Sequence, residues 1–531
     1  MNSLDRRSVL LAGLGAAGAG LLAACSGSPS GAKMLVSPTG TAVAEAEKKR
    51  AGTGREKAVK LTAAATDVDL GGRTVKTWSF GGSVPAEPIR LSAGDTLVAD
   101  VANHLPQPTS VHWHGLALRN DMDGIPPVTQ RAIQPGDSFT YRFTAADPGT
   151  YWFHPHVGPQ LDRGLYGALV VEDPREPLSY DDEWVVVLDD WLDGVTGTPD
   201  EALAELRRGM GMGSPSAGHT MDMGGMGDMG GMGGMSTGSA SPSPMDMGGG
   251  MSMKFMLMGA TSPLLGGDAG DVNYPHHLIN GRLATNPAVY DGKAGKRLRL
   301  RIVNAGGDTA YRLALGGHRM TITHTDGYPV QHRDVDALLI GMGERYDVLV
   351  TLQDGVFPLV ALAEGKNATA LALVRTGSGS APDASVRPKE LDGVIVSALE
   401  LRAADDVRLP ARGVDRTHTL ELRGSMDRYD WSINGRPFDM RNPAATPFLV
   451  GAGQRVRIDF ANRTQMWHPM HLHGHTFQVG ESGPRKDTVI VLPGQTVSSF
   501  FDADNPGQWL THCHNVYHGE AGMMGLVAYA G

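Results

Sequence analysis

The sequence predicts an all-β protein built from three related domains, and three observations carry that prediction. Short runs that alternate apolar and polar residues, such as Arg297-Leu298-Arg299-Leu300-Arg301-Ile302-Val303, recur with the period of a half-buried strand. Gly and Pro, at 71 and 33 of 531 residues, supply the turns that such strands need, and no long amphipathic helix competes with them. One pattern also occurs three times at domain-sized spacing: a Gly followed nine residues later by an Asn, at Gly94/Asn103, Gly295/Asn304 and Gly453/Asn462. A solenoid would repeat at far shorter intervals, and a chain of this length divides naturally into several cores.

The chain is expected to begin with an export segment. Arg6-Arg7 precede an uncharged stretch from Ser8 to Ala24, which ends in Leu22-Ala23-Ala24-Cys25. That arrangement resembles a twin-arginine signal joined to a lipobox, so residues 1–25 read as a signal peptide whose Cys25 is retained and lipidated. The chain would then be exported and lipid-anchored on the outer face of the cytoplasmic membrane. Residues 26–60 read as a flexible linker. The first β-domain covers 61–178, the second 179–390 and the third 391–531. Within the second, residues 210–258 form a low-complexity stretch of Gly, Ser, Pro and Asp that holds 14 of the 25 Met. The net charge of −10 argues against a nucleic-acid partner.

Histidines follow the repeat in its outer copies. His112 and His114 stand nine and eleven residues after Asn103, and His471 and His473 stand at the same offsets from Asn462. The middle copy has Leu313 and Leu315 there. A second register agrees, because Gly136 precedes His154 and His156 by the 18 and 20 residues that separate Gly494 from His512 and His514. On a strand each His-x-His pair turns both rings to one face, so the four pairs offer eight imidazoles. Imidazole suits Cu, Zn, Fe or Ni; sulfur ligands decide for copper.

Those sulfur ligands surround His512-Cys513-His514. Cys513, His518 and Met523, joined by His468, make the His₂Cys set with a weak axial thioether that defines a blue copper site. Cys513 faces away from its neighbours His512 and His514, so an electron reaching its sulfur is one residue from a second metal cluster. In the first domain the matching positions hold Thr109, Pro155, Gln160 and Leu165, which cannot form a blue site.

His-Trp-His-Gly at 112–115, His-Pro-His at 154–156, His-Pro-Met-His-Leu-His-Gly at 468–474 and His-Cys-His at 512–514 together resemble the four copper motifs of the multicopper oxidases. That family includes laccases, bilirubin oxidases and bacterial copper-efflux oxidases. The resemblance implies three cupredoxin-like Greek-key β-sandwich domains and four copper ions: one type-1, one type-2 and a type-3 pair. It makes His112 and His471 the type-2 ligands. His114, His154, His156, His473, His512 and His514 would hold the type-3 pair. It also implies dioxygen as the electron acceptor, with Asp123 as a proton-relay candidate and Glu520 as a weaker one. Met466, two residues before His468, resembles a Cu(I) docking residue, although Thr464 replaces the acid that copper-efflux members carry nearby.

The Met tract favours Cu(I) as reductant, since thioethers are soft ligands, and so points to an oxidase for copper detoxification. Laccase-like oxidation of phenols is the alternative. A non-catalytic copper-sequestering lipoprotein would not need the eight paired histidines.

Overall fold

In the computed structural model each Gly-to-Asn repeat is the same central strand of a β-sandwich. Residues 34–209 and 253–531 are described; the export segment with Cys25, and residues 210–252 of the Met tract with His219, lie outside them. The repeat strands Thr96–His104, Arg297–Asn304 and Arg455–Asn462 each pair in parallel with the strand that opens their own domain. On its other side each pairs antiparallel with a later strand: Ser138–Thr144, Arg345–Thr351 and Thr496–Asp502. A second sheet packs across each of these, giving three sandwiches of four plus four, six plus six and six plus five strands.

The repeated Asn has a physical task. Its buried side chain pins the end of the central strand to the segment that leads into the facing sheet. Asn103 Nδ2 donates to the carbonyls of Gln107 (2.9 Å) and Ile133 (2.8 Å), and its Oδ1 accepts from Leu105 N. Asn304 donates to Thr309 and Ile340, and Asn462 to Met466 and Val491, in the same pattern. An unpaired amide there would carry a desolvation cost, so each corner is fixed. In the outer domains the corner leads into the strand with the paired histidines, and in the middle domain it leads into Tyr311–Leu315.

The expected linker at 26–60 is not one over its described part. Leu35 bridges Ala530, Thr41–Lys49 is a helix with Val43 buried, and the first sandwich strand already starts at Glu56. Arg50 Nη2 donates to Asn505 Oδ1 in the third domain at 2.8 Å, while Glu47 Oε1 accepts from Thr144 N in the first. Charged and small residues that look unstructured in sequence are here a strap across two domains. The second sandwich also runs past the boundary drawn at 390, since Ile395–Val396 pairs with Ala337–Leu338.

The Met tract is flanked by ordered stalks. Pro199–Arg208 is a helix with a Thr198 capping box, and residues 254–274 return antiparallel through the Met256/Val272 bridge. Glu205 ties the two together by accepting from the backbone N–H of Lys254, Phe255 and Met256 (2.7–3.1 Å). Both stalks pack into the core of the third domain: Leu203, Leu206, Phe255 and Met256 join the cluster that contains Trp431, Met466, Cys513 and Met523.

Candidate metal centre

The strand Gln508–Cys513 carries the centre, and its neighbours in the sheet are His468–Leu472 and Met524–Tyr529. His471 lies opposite His512, and Met470 lies opposite Cys513. In the first domain His112 lies opposite His154. Alternation along these strands sends the paired histidines to the junction of domains one and three and sends Cys513 into the core of domain three.

All eight paired histidines meet there, none more than 9% exposed. Their nitrogens fall into groups compact enough to hold an ion: His114/His154/His514, His156/His473/His512, and His112/His471 beside His114. Between rings, His114 Nδ1 lies 3.2 Å from His514 Nε2, and His512 Nε2 lies 3.1 Å from His473 Nε2 and 3.4 Å from His156 Nε2. Burial holds His114, His154, His156, His473, His512 and His514 well below the ordinary imidazole range, so these rings are neutral.

Backbone and carboxylate acceptors decide which nitrogen six of the eight rings keep free. His154, His471 and His512 donate Nδ1–H to the carbonyls of Pro155, Asp487 and Cys513, each at 2.9 Å. Asp123 takes Nδ1–H from His112 at its backbone carbonyl (2.9 Å) and from His473 at its carboxylate Oδ2 (3.0 Å). The Nε2 atoms of His112 and His471 are buried with no hydrogen-bond partner, which a metal ion would explain. His114 is reversed: its Nε2 donates to Asp487 Oδ1 at 3.0 Å and its Nδ1 faces the cluster.

The reversal traces to the middle domain. Arg345 grips Asp487 with two parallel bonds of 2.7 and 2.6 Å and donates Nε–H to the Thr150 carbonyl of domain one. Burial alone would raise the Asp487 carboxyl, but Arg345 and His114 hold it well below the usual carboxylate range. Gly115 is open on the side of this pair, where a Cβ would stand 2.8 Å from Asp487 Oδ2. Gly343 of the middle domain also approaches the cluster, and a Cβ there would be 2.7 Å from His514.

On the other face of the strand, Cys513 Sγ is 3.6 Å from both His468 Nδ1 and His518 Nδ1. Met523 is fully buried beside them, its carbonyl accepting from Cys513 N and its N–H donating to the His518 carbonyl. His468 donates Nε2–H to Thr464 Oγ1 (2.8 Å) and His518 donates Nε2–H to Asp271 Oδ2 (2.9 Å), so both Nδ1 atoms turn toward Cys513 Sγ. Burial opposes a charge on His518, but the Asp271 carboxylate and the Cys513 sulfur outweigh it and raise the ring to about 10. The Trp431 ring lies 4.2 Å from that of His518. The equivalent place in domain one is closed by a buried Thr109–Gln160 hydrogen bond of 2.8 Å.

Met466, the expected Cu(I) docking residue, is buried. It is 3% exposed and sits in the core with Phe255 and Met256. Glu520 is half-buried beside His156, His512 and His514, and burial pushes its carboxyl up to about 7 against the opposing charge of Arg207. Asp271, Asp487 and Arg345 are absent from any spacing pattern in the sequence. His277 and His475 are structural, bonded to the hydroxyls of Tyr311 and Tyr529.

A buried site of two imidazoles, a cysteine sulfur and a thioether, joined by one strand to an eight-imidazole cluster, defines a copper oxidoreductase that moves electrons singly. Family models described as "Multicopper oxidase" match residues 62–176, 257–379 and 413–530. The chain is 46% identical to multicopper oxidase MmcO of Mycobacterium tuberculosis, over 99% of this chain and 96% of that one. It is 26% identical to copper resistance protein A of Escherichia coli, covering 87% of this chain and 91% of the other. A solved multicopper oxidase from Pseudomonas thermotolerans superposes with a TM-score of 0.64 at 26% identity, covering 90% and 99% of the two chains. The chain belongs to the multicopper oxidases, and its cofactors are type-1, type-2 and type-3 copper.

Proposed function

We propose that this enzyme oxidises Cu(I) to Cu(II) and passes the electrons to dioxygen, as a defence against copper. The observation that carries the reading is Asp271. It lies on the ordered return from the Met tract, and its Oδ2 accepts from His518 at 2.9 Å. Its other oxygen, Oδ1, is buried without a partner. A segment rich in Cu(I)-binding thioethers thus leads into a carboxylate that touches the blue-site ring, and a negative charge there suits a cationic donor better than a neutral phenol. The name of the Escherichia coli relative supports a role in copper resistance.

In this reading His468, Cys513, His518 and Met523 hold the type-1 copper, His112 and His471 the type-2, and the other six histidines the type-3 pair. The bound coppers supply one-electron steps and the reduction of dioxygen. Four Cu(I) ions oxidised to Cu(II) balance one dioxygen and four protons converted to two waters. Cys513 joins the two centres because His512 and His514 flank it directly in the chain. Asp123 orients His112 and His473 at once, and Glu520 is placed to hold a proton beside the cluster near neutral pH. We place the mature chain on the outer side of the cytoplasmic membrane through a lipid on Cys25, on the strength of Arg6-Arg7 and the residues before Cys25.

Deleting residues 210–252 tests the substrate. Oxygen uptake at limiting Cu(I) should fall while the blue band stays and phenol oxidation holds or rises. Equal Cu(I) rates in both proteins would remove the tract from the reaction and bring the laccase-like reading forward.

A further inference from the structure

The eight cluster histidines are sealed between two domains, and His156, at 9%, is the most exposed of them. Copper ions therefore need a path inward. Two adjoining cavities touch the cluster on this side. The inner one, about 30 Å³, borders His154, His156, His512 and His514; the outer one, about 190 Å³, borders His156 alone among the eight. They share His156, Gly158, Gly519, Glu520 and Met524 as walls, and are thus one passage with a narrow inner end.

The chemistry of that passage is specific. The outer cavity is lined by the thioethers of Met440 and Met524 and the carboxylate of Glu520, and among the described residues no Lys or Arg lines it. Gly158, Gly519 and Gly522 form part of its wall, the apolar side chains of Pro126, Ala132, Val157 and Phe438 complete it, and the Met524 methyl lies against Gly519. Apolar packing alone explains a buried Met, but Met440 is only half-buried. Two thioethers, a carboxylate and an imidazole in sequence form a graded set, from soft and weak to stronger nitrogen donors.

We propose that this passage is a transient Cu(I) site through which the type-2 and type-3 positions are filled. The ion moves from Met440 and Met524 to His156 without change of oxidation state, exchanging sulfur for imidazole as it advances. The blue site is filled separately, because the Cys513 side chain lies on the opposite face of its strand, in the core of the third domain. The passage concerns the supply of the enzyme's own copper and stands whether the reductant is Cu(I) or a phenol.

The test is the metal loading of full-length, copper-free protein. Met440→Leu and Met524→Leu, together and singly, keep volume and remove the thioether. Protein is mixed anaerobically with Cu(I), sampled over time, freed of unbound metal, and assayed for copper content, the blue band and the type-2 EPR signal after air exposure. The double variant should fill the cluster about tenfold more slowly from Cu(I), with unchanged blue-site filling and unchanged loading from Cu(II). Given time it should reach the full copper content and normal turnover. Unchanged cluster filling in the double variant overturns the proposal. So does equal slowing with Cu(II), which would mean that shape and not sulfur matters. Met440→Leu alone, at a half-buried position, guards against misfolding: it should show part of the same Cu(I)-specific delay.

Discussion

Six of the eight cluster histidines are specified by the atom that takes their other proton, and His114 shows this most clearly. Its Nε2–H goes to Asp487, so only Nδ1 is left for metal, and Arg345 keeps the carboxylate ionised in the interior. Asp487→Asn should let that ring turn or change tautomer. The expected outcome is loss of the near-ultraviolet type-3 absorption and of at least one copper per molecule, with the blue band intact; metal analysis and absorption spectra check it. The sequence shows the ligands because His-x-His on a strand is a local pattern, repeated in register. It does not show Asp487, which stands 25 residues after Asn462, where the first domain has Val128 and the second Pro329. Nor does it show Asp271, which follows a tract without periodicity. Acceptors for ring protons come from other strands and domains, and nothing local marks them.

Among the elements, the helix Pro199–Arg208 and the return segment 254–274 behave as one unit because Glu205 collects three backbone N–H groups from the latter. Charge-assisted bonds of this kind are worth on the order of 3 kcal/mol together, after water competition. Glu205→Ala should loosen the segment that presents Asp271 to His518. The blue band and the copper hyperfine splitting of the type-1 EPR signal should shift, and Cu(I) oxidation should fall severalfold, while the type-2 EPR signal stays unchanged. A spectrum identical to wild type would separate Asp271 from this clamp. The strands themselves were legible from alternation and from Gly and Pro, whereas the strap at 35–50 was not. Its helix buries only Val43, too little apolar surface to register as a pattern.

At the scale of the whole molecule, the middle domain locks the outer two by charge. Asp347 lies between Arg299 and Arg301 and accepts from Thr150 of the first domain at 2.7 Å. Burial works against its charge, yet the two guanidinium groups win and lower its carboxyl from 3.8 to about 2. A depressed acid stabilises the folded state above its unfolded value and loses that contribution as pH falls through the folded one. The window is therefore about pH 4 down to 2, and the contribution is about 2 kcal/mol. Asp347→Asn should lower Tm at neutral pH and flatten the fall of Tm across that window, as calorimetry at several pH values would show. The Thr109–Gln160 bond has a different kind of consequence. By closing the first domain's counterpart of the blue site, it leaves the oxygen-reducing chamber with a single wire, through Cys513. Dioxygen needs four charges and the wire delivers one at a time, so the molecule works as a counter: it has to retain each partial total until the fourth arrives.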